Sequence, residues 1–507
     1  MADSDERKSP IIDTPVDSDT EVNGGGAPVN EKKLLRKLDY NLLPAVGVLY
    51  LLSFLDRSNV GNARIEGMLD DLHMTGNQYL TGLTLYFVAY VIFEIPCNII
   101  LKRTSPRVWL PTLTIAWGIV ATLLGIVQDM PGFFVARFFL GITESGLFPG
   151  VVYYFSMWYK RRERQYRISL FFSAASLAGA FGGVLAYCLA TGNWADGRRS
   201  MGKRMAMDLH SFILTRNRDK QEGILTVLVA FAAYWFIHNY PKTAKFLTED
   251  ERRYIHQRLA ADSDATNDEK FTWSAVTDAL KDGNCWLYGL GFHTMSLPLY
   301  TLSLFLPTII SSLGYTAAKA QLLTVPPYAF AFLTTLAAAV LSERTGQRAL
   351  FIAGSSLFGA VGYAILLGNT TPREKPGVSY LGTFFAAGGI YPAVALVLSW
   401  PAINVSGQTK RAVANAMQIS IGNLGAVLGT QLYRSADGPR FIVGHSMALT
   451  YLLANVVVVS ILWWRLRREN RRRDEAAAQV PGGAAAPVAE GFSDWKGDAD
   501  PRWRFEY

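Results

Sequence analysis

The chain has 507 residues, of which half are hydrophobic and 18% are charged, and its formal net charge is +8. An average soluble protein is less apolar, so this composition favours an integral membrane protein built as one large folded unit. The basic residues gather in short clusters between apolar runs, which argues against nucleic-acid binding and is typical of loops on the cytoplasmic side of a membrane.

Residues 1–40 are polar, partly acidic and without the apolar core of a signal peptide, so they are predicted to form a disordered cytosolic tail. The rest of the chain contains apolar stretches of about twenty residues, the length that crosses about 30 Å of hydrocarbon. Two groups of six such stretches are predicted, at 41–57, 78–101, 108–127, 132–157, 167–190 and 223–239, and at 285–312, 321–341, 349–368, 378–400, 411–433 and 441–464. The prediction is an all-α integral membrane protein of twelve transmembrane helices in two six-helix halves, 41–239 and 285–464.

The loops between these spans predict the orientation in the membrane, because Lys and Arg in short loops resist translocation. With both termini inside, the cytoplasmic segments would include LKRTSPR, YKRRERQYR, LSERTGQR and the tail 465–507, all of which contain basic clusters. The charged, helix-prone linker 240–284 is predicted to lie in water against the same face.

One predicted outside segment, 191–221, breaks this rule because it carries seven Lys or Arg residues. A one-base shift of the reading frame would turn Met205 and Met207 into Trp and create an aromatic, apolar run suited to opening the sixth span. The alternatives are a gene-model error and a genuine basic loop, and sequencing the transcript across this stretch separates them.

Nothing in the sequence has the pattern of an enzyme active site. No P-loop, G-x-S-x-G or H-E-x-x-H motif is present. The three cysteines, Cys97, Cys188 and Cys285, fall in or beside apolar segments without a C-x-x-C pair, so they are interpreted as packing residues. The chain is therefore predicted to be neither an enzyme nor a binder of a metal or cofactor.

Ionisable residues at membrane depth are the functional candidates, because they are costly there. Asp56 and Arg57 lie at the outer end of the predicted first span. An Arg that faces a water-filled cavity can hold a carboxylate through two parallel hydrogen bonds, and a neighbouring Asp can exchange a proton as that charge comes and goes. The alternative is an interfacial ion pair that ends the helix.

Two further positions carry charge inside predicted spans. Arg137 and Glu144 are nearly two helical turns apart, so they share a face and are expected to pair with each other or with partners on the first or fifth span. Glu144 would carry a proton if the closure of Arg137 onto it released that proton, whereas a fixed buried pair would only lock helices together. Glu94 lies just before Pro96, and it either titrates or, as we favour, has a structural role.

Polar and aromatic groups on the tenth and eleventh spans are expected to line the second half of a central cavity, with helix packing as the alternative for each. They are Tyr391, Trp400, Asn415, Gln418 and Asn423.

With these residues together, the chain resembles the fungal allantoate permease branch of the anion:cation symporters, within the major facilitator superfamily. The segments that carry the resemblance include LDRSNVGNARIEG, YFVAYVIFEIPCN, RFFLGITESGLFPGVVYYFSMWYKRRER, GGIYPAVALVLSWPAIN and the end of the tail, EGFSDWKGDADPRWRFEY. The resemblance implies the major facilitator fold and proton-coupled uptake of a small organic anion, such as nicotinate, allantoate or pantothenate. It implies a monomer in the lipid bilayer of the plasma membrane, with the vacuole as the alternative.

The resemblance also implies residue roles, since Asp56, Arg57, Arg137 and Glu144 match the positions of proton coupling and carboxylate binding in the family. We expect Arg57 to anchor the substrate beside Asn415 and Trp400. Asp56, Glu144, Arg137 and Glu94 are expected to take part in proton coupling. Two other functions stay open: a non-transporting nutrient sensor and a drug:proton antiporter. An Arg-lined cavity argues against the antiporter, because it would repel cationic drugs.

Overall fold

The computed structural model of the protein describes residues 29–191, 223–261, 272–479 and 497–507. Within these ranges the regular structure is helical throughout, and eleven helices are long and apolar enough to cross a membrane, together with one shorter apolar helix. This confirms the predicted all-α membrane fold. The suspected frame-shifted stretch 191–221 falls, beyond Thr191, outside the described residues.

The first half of the chain supplies eight of the described helices, of which α5 and α6 together form one span. They are α1 (Glu31–Ile65), α2 (Met68–Asp71), α3 (Gly76–Arg103), α4 (Pro106–Leu124), α5 (Met130–Glu144), α6 (Leu147–Ser156), α7 (Arg161–Thr191) and α8 (Gly223–Phe236). The linker follows with a 3₁₀ turn (Pro241–Thr243), α9 (Glu249–Ala261) and α10 (Trp273–Lys281).

The second half begins directly after α10. Its helices are α11 (Gly283–Ser312), α12 (Ala317–Leu323), α13 (Val325–Thr345), α14 (Arg348–Gly368), α15 (Pro376–Asn404), α16 (Gln408–Gly429) and α17 (Ile442–Ala478), with short 3₁₀ turns at Ser435–Asp437 and Gly497–Ala499. The two halves meet where α1 packs on α11, α3 on α16, and α7 on α12, α13 and α15. The buried core is therefore shared between the halves.

Large apolar side chains are exposed in bands along several helices, as at Leu228 and Phe231 on α8 and Val457 and Ile461 on α17. Water penalises such a surface, whereas lipid tails do not. These bands identify the faces that contact the hydrocarbon.

Helix α1 is longer than predicted at both ends. Its first ten residues, assigned above to a disordered tail, are helical. The Asn30 side chain caps the helix by accepting a hydrogen bond from the Lys33 backbone N–H. Arg167 holds the same segment through two hydrogen bonds with the Asp39 carboxylate, of 2.8 and 2.9 Å. At the other end, α1 continues to Ile65, because its polar residues are buried against other helices and do not end the helix in water. Arg57 consequently lies inside the helix, and its assignment to the outer end was wrong.

The two ends of the bundle can now be distinguished. The linker end is defined by the first residues of α1, α7 and α11 and the last residues of α15 and α17, and the far end by the last residues of α1 and α11 and the first of α3. At the linker end, α9 is tied to the first half: Arg258 contacts Glu163 at 2.8 Å and Glu31 at 3.0 Å, and Lys37 contacts Glu251 at 2.7 Å. Partial burial acts to raise the pKa of Glu251, but the hydrogen bond and charge of Lys37 outweigh this effect and hold that pKa below its usual value.

Arg258→Ala is predicted to lower the stability of the folded protein. The Arg258 side chain is only 2% exposed, and its loss leaves two carboxylates without their shared cation, which costs about 1–3 kcal/mol. Thermal unfolding of the purified protein in detergent measures this as a lower Tm. Arg253→Ala is the matched control on the same helix, because Arg253 is 61% exposed and its ion pair with Asp250 contributes little. An equal loss of stability in both variants would contradict the role given to Arg258.

Candidate functional site

A buried ion pair lies between helices α1 and α5. Arg57 Nη2 and Glu144 Oε1 are 3.1 Å apart, and the two residues are 5% and 1% exposed. Buried charges are tolerated only when they are paired and hydrogen-bonded. The surrounding side chains show how this requirement is met.

Three hydroxyl groups complete the pair. Ser53 Oγ donates to Glu144 Oε1, and Tyr86 OH donates to Glu144 Oε2, so both carboxylate oxygens accept hydrogen bonds. Arg57 Nη1 donates to Tyr300 OH at 2.7 Å. Because Tyr300 lies on α11, this bond connects the pair in the first half with the second half of the protein.

Three aromatic rings surround the guanidinium group. The Arg57 Cζ atom lies 5.4 Å from the ring centre of Tyr86 and 5.5 Å from those of Tyr90 and Tyr300. Ring faces attract a cation and exclude water from it. Arg57, Glu144, Ser53, Tyr86, Tyr90 and Tyr300 are called the Arg57 site below.

Two glycines allow these helices to come together. A Cβ atom on Gly141 would lie 2.2 Å from the carbonyl oxygen of Tyr86, and one on Gly61 would lie 2.3 Å from that of Leu304. No side chain fits at either distance. Gly141 therefore allows α5 to bring Glu144 to Tyr86, and Gly61 allows α1 to bring Arg57 to Tyr300.

The other predicted charges of the first half lie around the site. Asp56 accepts a hydrogen bond of 2.7 Å from Trp117 Nε1 on α4. Arg137 is 3% exposed, with its Cζ atom 5.3 Å from the Phe133 ring, two turns from Glu144 towards the far end. Of the two pairings considered for Glu144, the structure shows the one with the first span, because its salt-bridge partner is Arg57.

Glu94 is fully buried and reaches the second half of the protein. Its Oε2 atom accepts a hydrogen bond of 3.1 Å from Ser420 Oγ on α16. It lies eight residues after Tyr86 on α3, which places it about 12 Å nearer the linker end. Glu94 is thus a second carboxyl group at the contact between the halves.

The structure does not bring Trp400 and Asn415 to the Arg57 site. Trp400 Nε1 donates to the carbonyl oxygen of Glu506 at 3.0 Å, and its ring packs on Tyr288. Asn415 lines a small cavity together with Tyr153 and Arg411. Both positions are nearer the linker end, where α15 ends and α16 begins, and their roles in substrate binding stay predictions.

The remaining second-half candidates are placed as follows. Gln418 Nε2 donates to the carbonyl oxygen of Val397 at 2.8 Å, which is a contact between α16 and α15. Asn423 is buried on α16. Tyr391 packs edge-on against Phe54 of α1, with ring centres 6.3 Å apart, so it contacts the helix that carries Arg57.

Sequence reasoning missed four residues of the Arg57 site, Ser53, Tyr86, Tyr90 and Tyr300, and also Arg64, farther along α1. Ser53 and Arg64 stand four residues before and seven after Arg57, so helical spacing alone places them on its face. Arg64 Nη2 donates to Ser435 Oγ at 2.7 Å, and its Cζ atom lies 4.9 Å from the Tyr79 ring. No local signal marks Tyr300, because its partner is 243 positions away in the chain.

Comparisons with known proteins agree on the family. The family described as Major Facilitator Superfamily matches residues 46–196 and 221–430. The MFS-type transporter cnsO of Penicillium expansum is 37% identical over 429 residues, which cover 83% of this chain and 80% of the relative. The high-affinity nicotinic acid transporter of Saccharomyces cerevisiae is 31% identical over 432 residues, covering 85% of this chain and 77% of the relative.

Solved structures show the same fold at low sequence identity. A bacterial homologue of the human lysosomal transporter Spinster, in an inward-facing and unoccupied conformation, is 15% identical with a TM-score of 0.56, and the match covers 84% of this chain and 95% of that one. The E. coli fucose:proton symporter is 14% identical with a TM-score of 0.55, covering 82% and 98% of the two chains.

Gly61→Ala is predicted to destabilise the protein, because the new methyl group would collide with the backbone of α11. Overpacking of this kind costs about 1–3 kcal/mol. Gly182→Ala is the matched control: its Cβ would meet the Leu55 side chain at 3.4 Å, an ordinary contact, while the gain in helix propensity is the same. Thermal unfolding of both variants measures the difference. Equal Tm values would show that α1 and α11 are not held this closely.

Proposed function

Because the chain belongs to the major facilitator superfamily of membrane transporters, we propose that it takes up a small organic anion together with a proton by alternating access. The single observation that carries this proposal is the buried Arg57–Glu144 pair, with Tyr300 of the second half bonded to the same guanidinium. A guanidinium binds carboxylates through two parallel hydrogen bonds. We propose a carboxylate of the nicotinate, allantoate or pantothenate kind as the substrate, as in the fungal allantoate permease branch.

The proton is required because ionised Glu144 is paired with the Arg57 guanidinium, the group that the substrate carboxylate needs. A substrate carboxylate that approaches Arg57 beside an ionised Glu144 adds a second negative charge to a buried site, which is unfavourable. Protonation of Glu144 removes that charge and releases Arg57 for the substrate. Proton and anion therefore bind together.

The same charge balance explains why the protein can reorient in only two states, with the site empty or with both proton and anion bound. The empty site contains Arg57 and ionised Glu144, and the loaded site contains Arg57, a neutral Glu144 and the substrate anion, so both have zero net charge. A site with the proton or the anion alone has one uncompensated charge, which costs several kcal/mol when the halves close around it. Coupling follows from this cost.

The other charged residues are proposed to support this cycle. Glu94 faces Ser420 across the contact between the halves, so a change in its protonation would alter that contact. Asp56 is bonded to Trp117 and is proposed to exchange a proton as α1 moves against α4. Arg137, two turns from Glu144, adds positive charge that attracts an anion towards the site. Asn415 and Trp400 remain proposed contacts of the substrate or of its exit path.

Two further observations support the proposal. A relative that shares 31% identity over 85% of this chain is named as a nicotinic acid transporter, and nicotinic acid is a carboxylic acid. The linker end carries several basic residues, including Lys37, Arg167, Arg258 and Arg348. We propose that this end and both termini face the cytoplasm, in the plasma membrane, and that the carrier works as a monomer.

Arg57→Ala is predicted to abolish anion uptake. The variant lacks the donor for the substrate carboxylate, and a lost hydrogen bond to a charged group lowers affinity at least about tenfold. Uptake of radiolabelled nicotinate and allantoate into vesicles with an imposed pH gradient, acid on the side of substrate addition, measures this. Arg57→Lys is expected to retain partial activity, since it keeps the charge without the planar donor pair. Arg253→Ala is the control on an exposed surface.

Normal uptake by Arg57→Ala would disprove the anchor. Binding of the anion by the wild-type protein without accumulation in the vesicles would favour the nutrient sensor over the transporter.

Glu144→Gln is predicted to separate transport from the proton. The glutamine resembles the protonated carboxyl, so the anion-loaded site stays neutral and counterflow exchange of labelled anion should continue. The empty site keeps the uncompensated charge of Arg57 and cannot return, so net uptake should no longer be driven by the pH gradient. Wild-type uptake is expected to rise as the pH on the side of substrate addition falls, because the proton gradient then drives the proposed entry of proton and anion together. Glu94→Gln, measured in parallel, tests the second buried carboxyl. If Glu144→Gln remained stimulated by acid, the proton would be carried elsewhere.

A further inference from the structure

A basic pocket lies at the linker end, away from the Arg57 site. It has a volume of about 480 Å³ and is formed by the end of α17, the start of α11 and α16, and residues 497–507. Five of its lining side chains are basic and three are acidic, so it has a surplus of positive charge. This cavity is called the α17 pocket below.

The acidic side chains are already used within the pocket. Lys410 Nζ lies 3.0 Å from Asp282 and 2.7 Å from Asp498, and Arg473 lies 2.9 Å from Glu469. Their charges therefore largely cancel.

The two guanidinium groups closest to the membrane spans have neutral partners. Arg465 Nε donates to Asn284 Oδ1 at 3.2 Å, and the Arg468 Cζ atom lies 5.3 Å from the Trp464 ring. In the described part of the chain, neither forms a salt bridge. Arg472, which is 79% exposed, reaches Glu469 only at 3.6 Å. Positive charge that could bind an anion is thus concentrated on one side of α17.

The surroundings place this pocket at the surface of the bilayer. Trp464 on α17 lines the pocket on its membrane side, and Trp286 lies on α11 two residues after the lining residue Asn284; they are 54% and 52% exposed. Exposed tryptophans of membrane proteins gather at the level of the lipid headgroups. One to two turns deeper, the exposed side chains are the apolar Val457, Ile461 and Leu290. A headgroup in the pocket would therefore have its acyl chains against an apolar surface.

We propose that the α17 pocket binds the phosphate headgroup of an anionic phospholipid from the adjoining leaflet, with the acyl chains along α11 and α17. Arginine groups bind phosphate oxygens through paired donors, and basic clusters next to a span attract anionic lipids. A membrane lipid fits better than a soluble phosphate because the tryptophans and the apolar surface continue the pocket into the bilayer.

The lipid headgroup would lie beside residues 497–507, which contact both halves of the protein. Arg473, in the wall of the pocket, donates to the carbonyl oxygens of Asp500 and Trp503, and the Trp503 ring packs on Arg161 of the first half, 3.8 Å from its Cζ atom. Lipid bound in the pocket is therefore expected to stabilise the folded protein as a whole.

The test compares two double variants of the full-length protein. R465Q/R468Q removes two charges that line the pocket. R467Q/R471Q removes two charges from the same helix that do not line it. Phosphatidylglycerol and phosphatidylcholine are added in turn to each protein in neutral detergent, and retained lipid is counted by native mass spectrometry while Tm is followed. Arg465 and Arg468 are exposed on α17, so the first variant is expected to fold.

The expected result is that phosphatidylglycerol, but not phosphatidylcholine, is retained and raises the Tm of the wild type and of R467Q/R471Q. R465Q/R468Q should bind it at least about tenfold more weakly, as expected for lost charge-assisted hydrogen bonds. Equal retention by both double variants would overturn the proposal in favour of general charge attraction. If inorganic phosphate alone gave the same shift and displaced the lipid, the pocket would be a site for soluble phosphate. Neither result depends on transport of the organic anion.

Discussion

The structure depends on how two opposite charges are kept out of water at the Arg57 site. An ion pair buried in a low-dielectric interior loses hydration worth several kcal/mol per ion, and only good geometry with additional hydrogen bonds offsets this loss. Here Ser53 and Tyr86 bond the carboxylate, Tyr300 bonds the guanidinium, and three tyrosine rings lie around it. Truncating one partner leaves the other charge buried, which costs about 3–5 kcal/mol. Zero net charge is therefore the condition for the site whenever the two halves are closed around it.

This condition is connected to the shape of the protein through the helices that supply the groups. Arg57 and Ser53 come from α1, Glu144 from α5, Tyr86 from α3 and Tyr300 from α11. Close backbone contacts at Gly61 and Gly141 fix two of these helix pairs. A movement of α11 away from α1 would break the bond to Tyr300 and expose the guanidinium. The charge state of a few atoms and the separation of the two halves are consequently coupled.

The sequence predicted the fold and part of the site for separable physical reasons. Lipid imposes a minimum length on an apolar helix, so the spans could be located from composition alone. The cost of charge in hydrocarbon singled out Arg57 and Glu144, and the structure shows them as partners. The end of α1 was misplaced because most residues from Asp56 to Arg64 are polar yet buried against protein, which hydropathy cannot distinguish from exposure to water. Tyr300 and the neighbours of Trp400 were unpredictable because contacts between distant segments leave no periodic pattern.

Contacts between the halves exist on both sides of the Arg57 site. At the far end, Arg64 donates to Ser435 and the hydroxyls of Thr84 and Thr430 are 2.8 Å apart; at the linker end, Arg164 donates to the carbonyl oxygen of Ala402 and Gln165 to Ser342. In the proposed cycle one set opens while the other stays closed. Each of these bonds can be exchanged for bonds to water as its end opens, so its net contribution is modest, about 0.5–1.5 kcal/mol for a neutral pair and about 1.5–3 kcal/mol where Arg donates. An uncompensated charge at Arg57 costs as much or more and has no such exchange while the site stays closed. In the proposed cycle, the charge balance at the site therefore determines which states can close, while the contacts at the two ends contribute to whichever closed state forms.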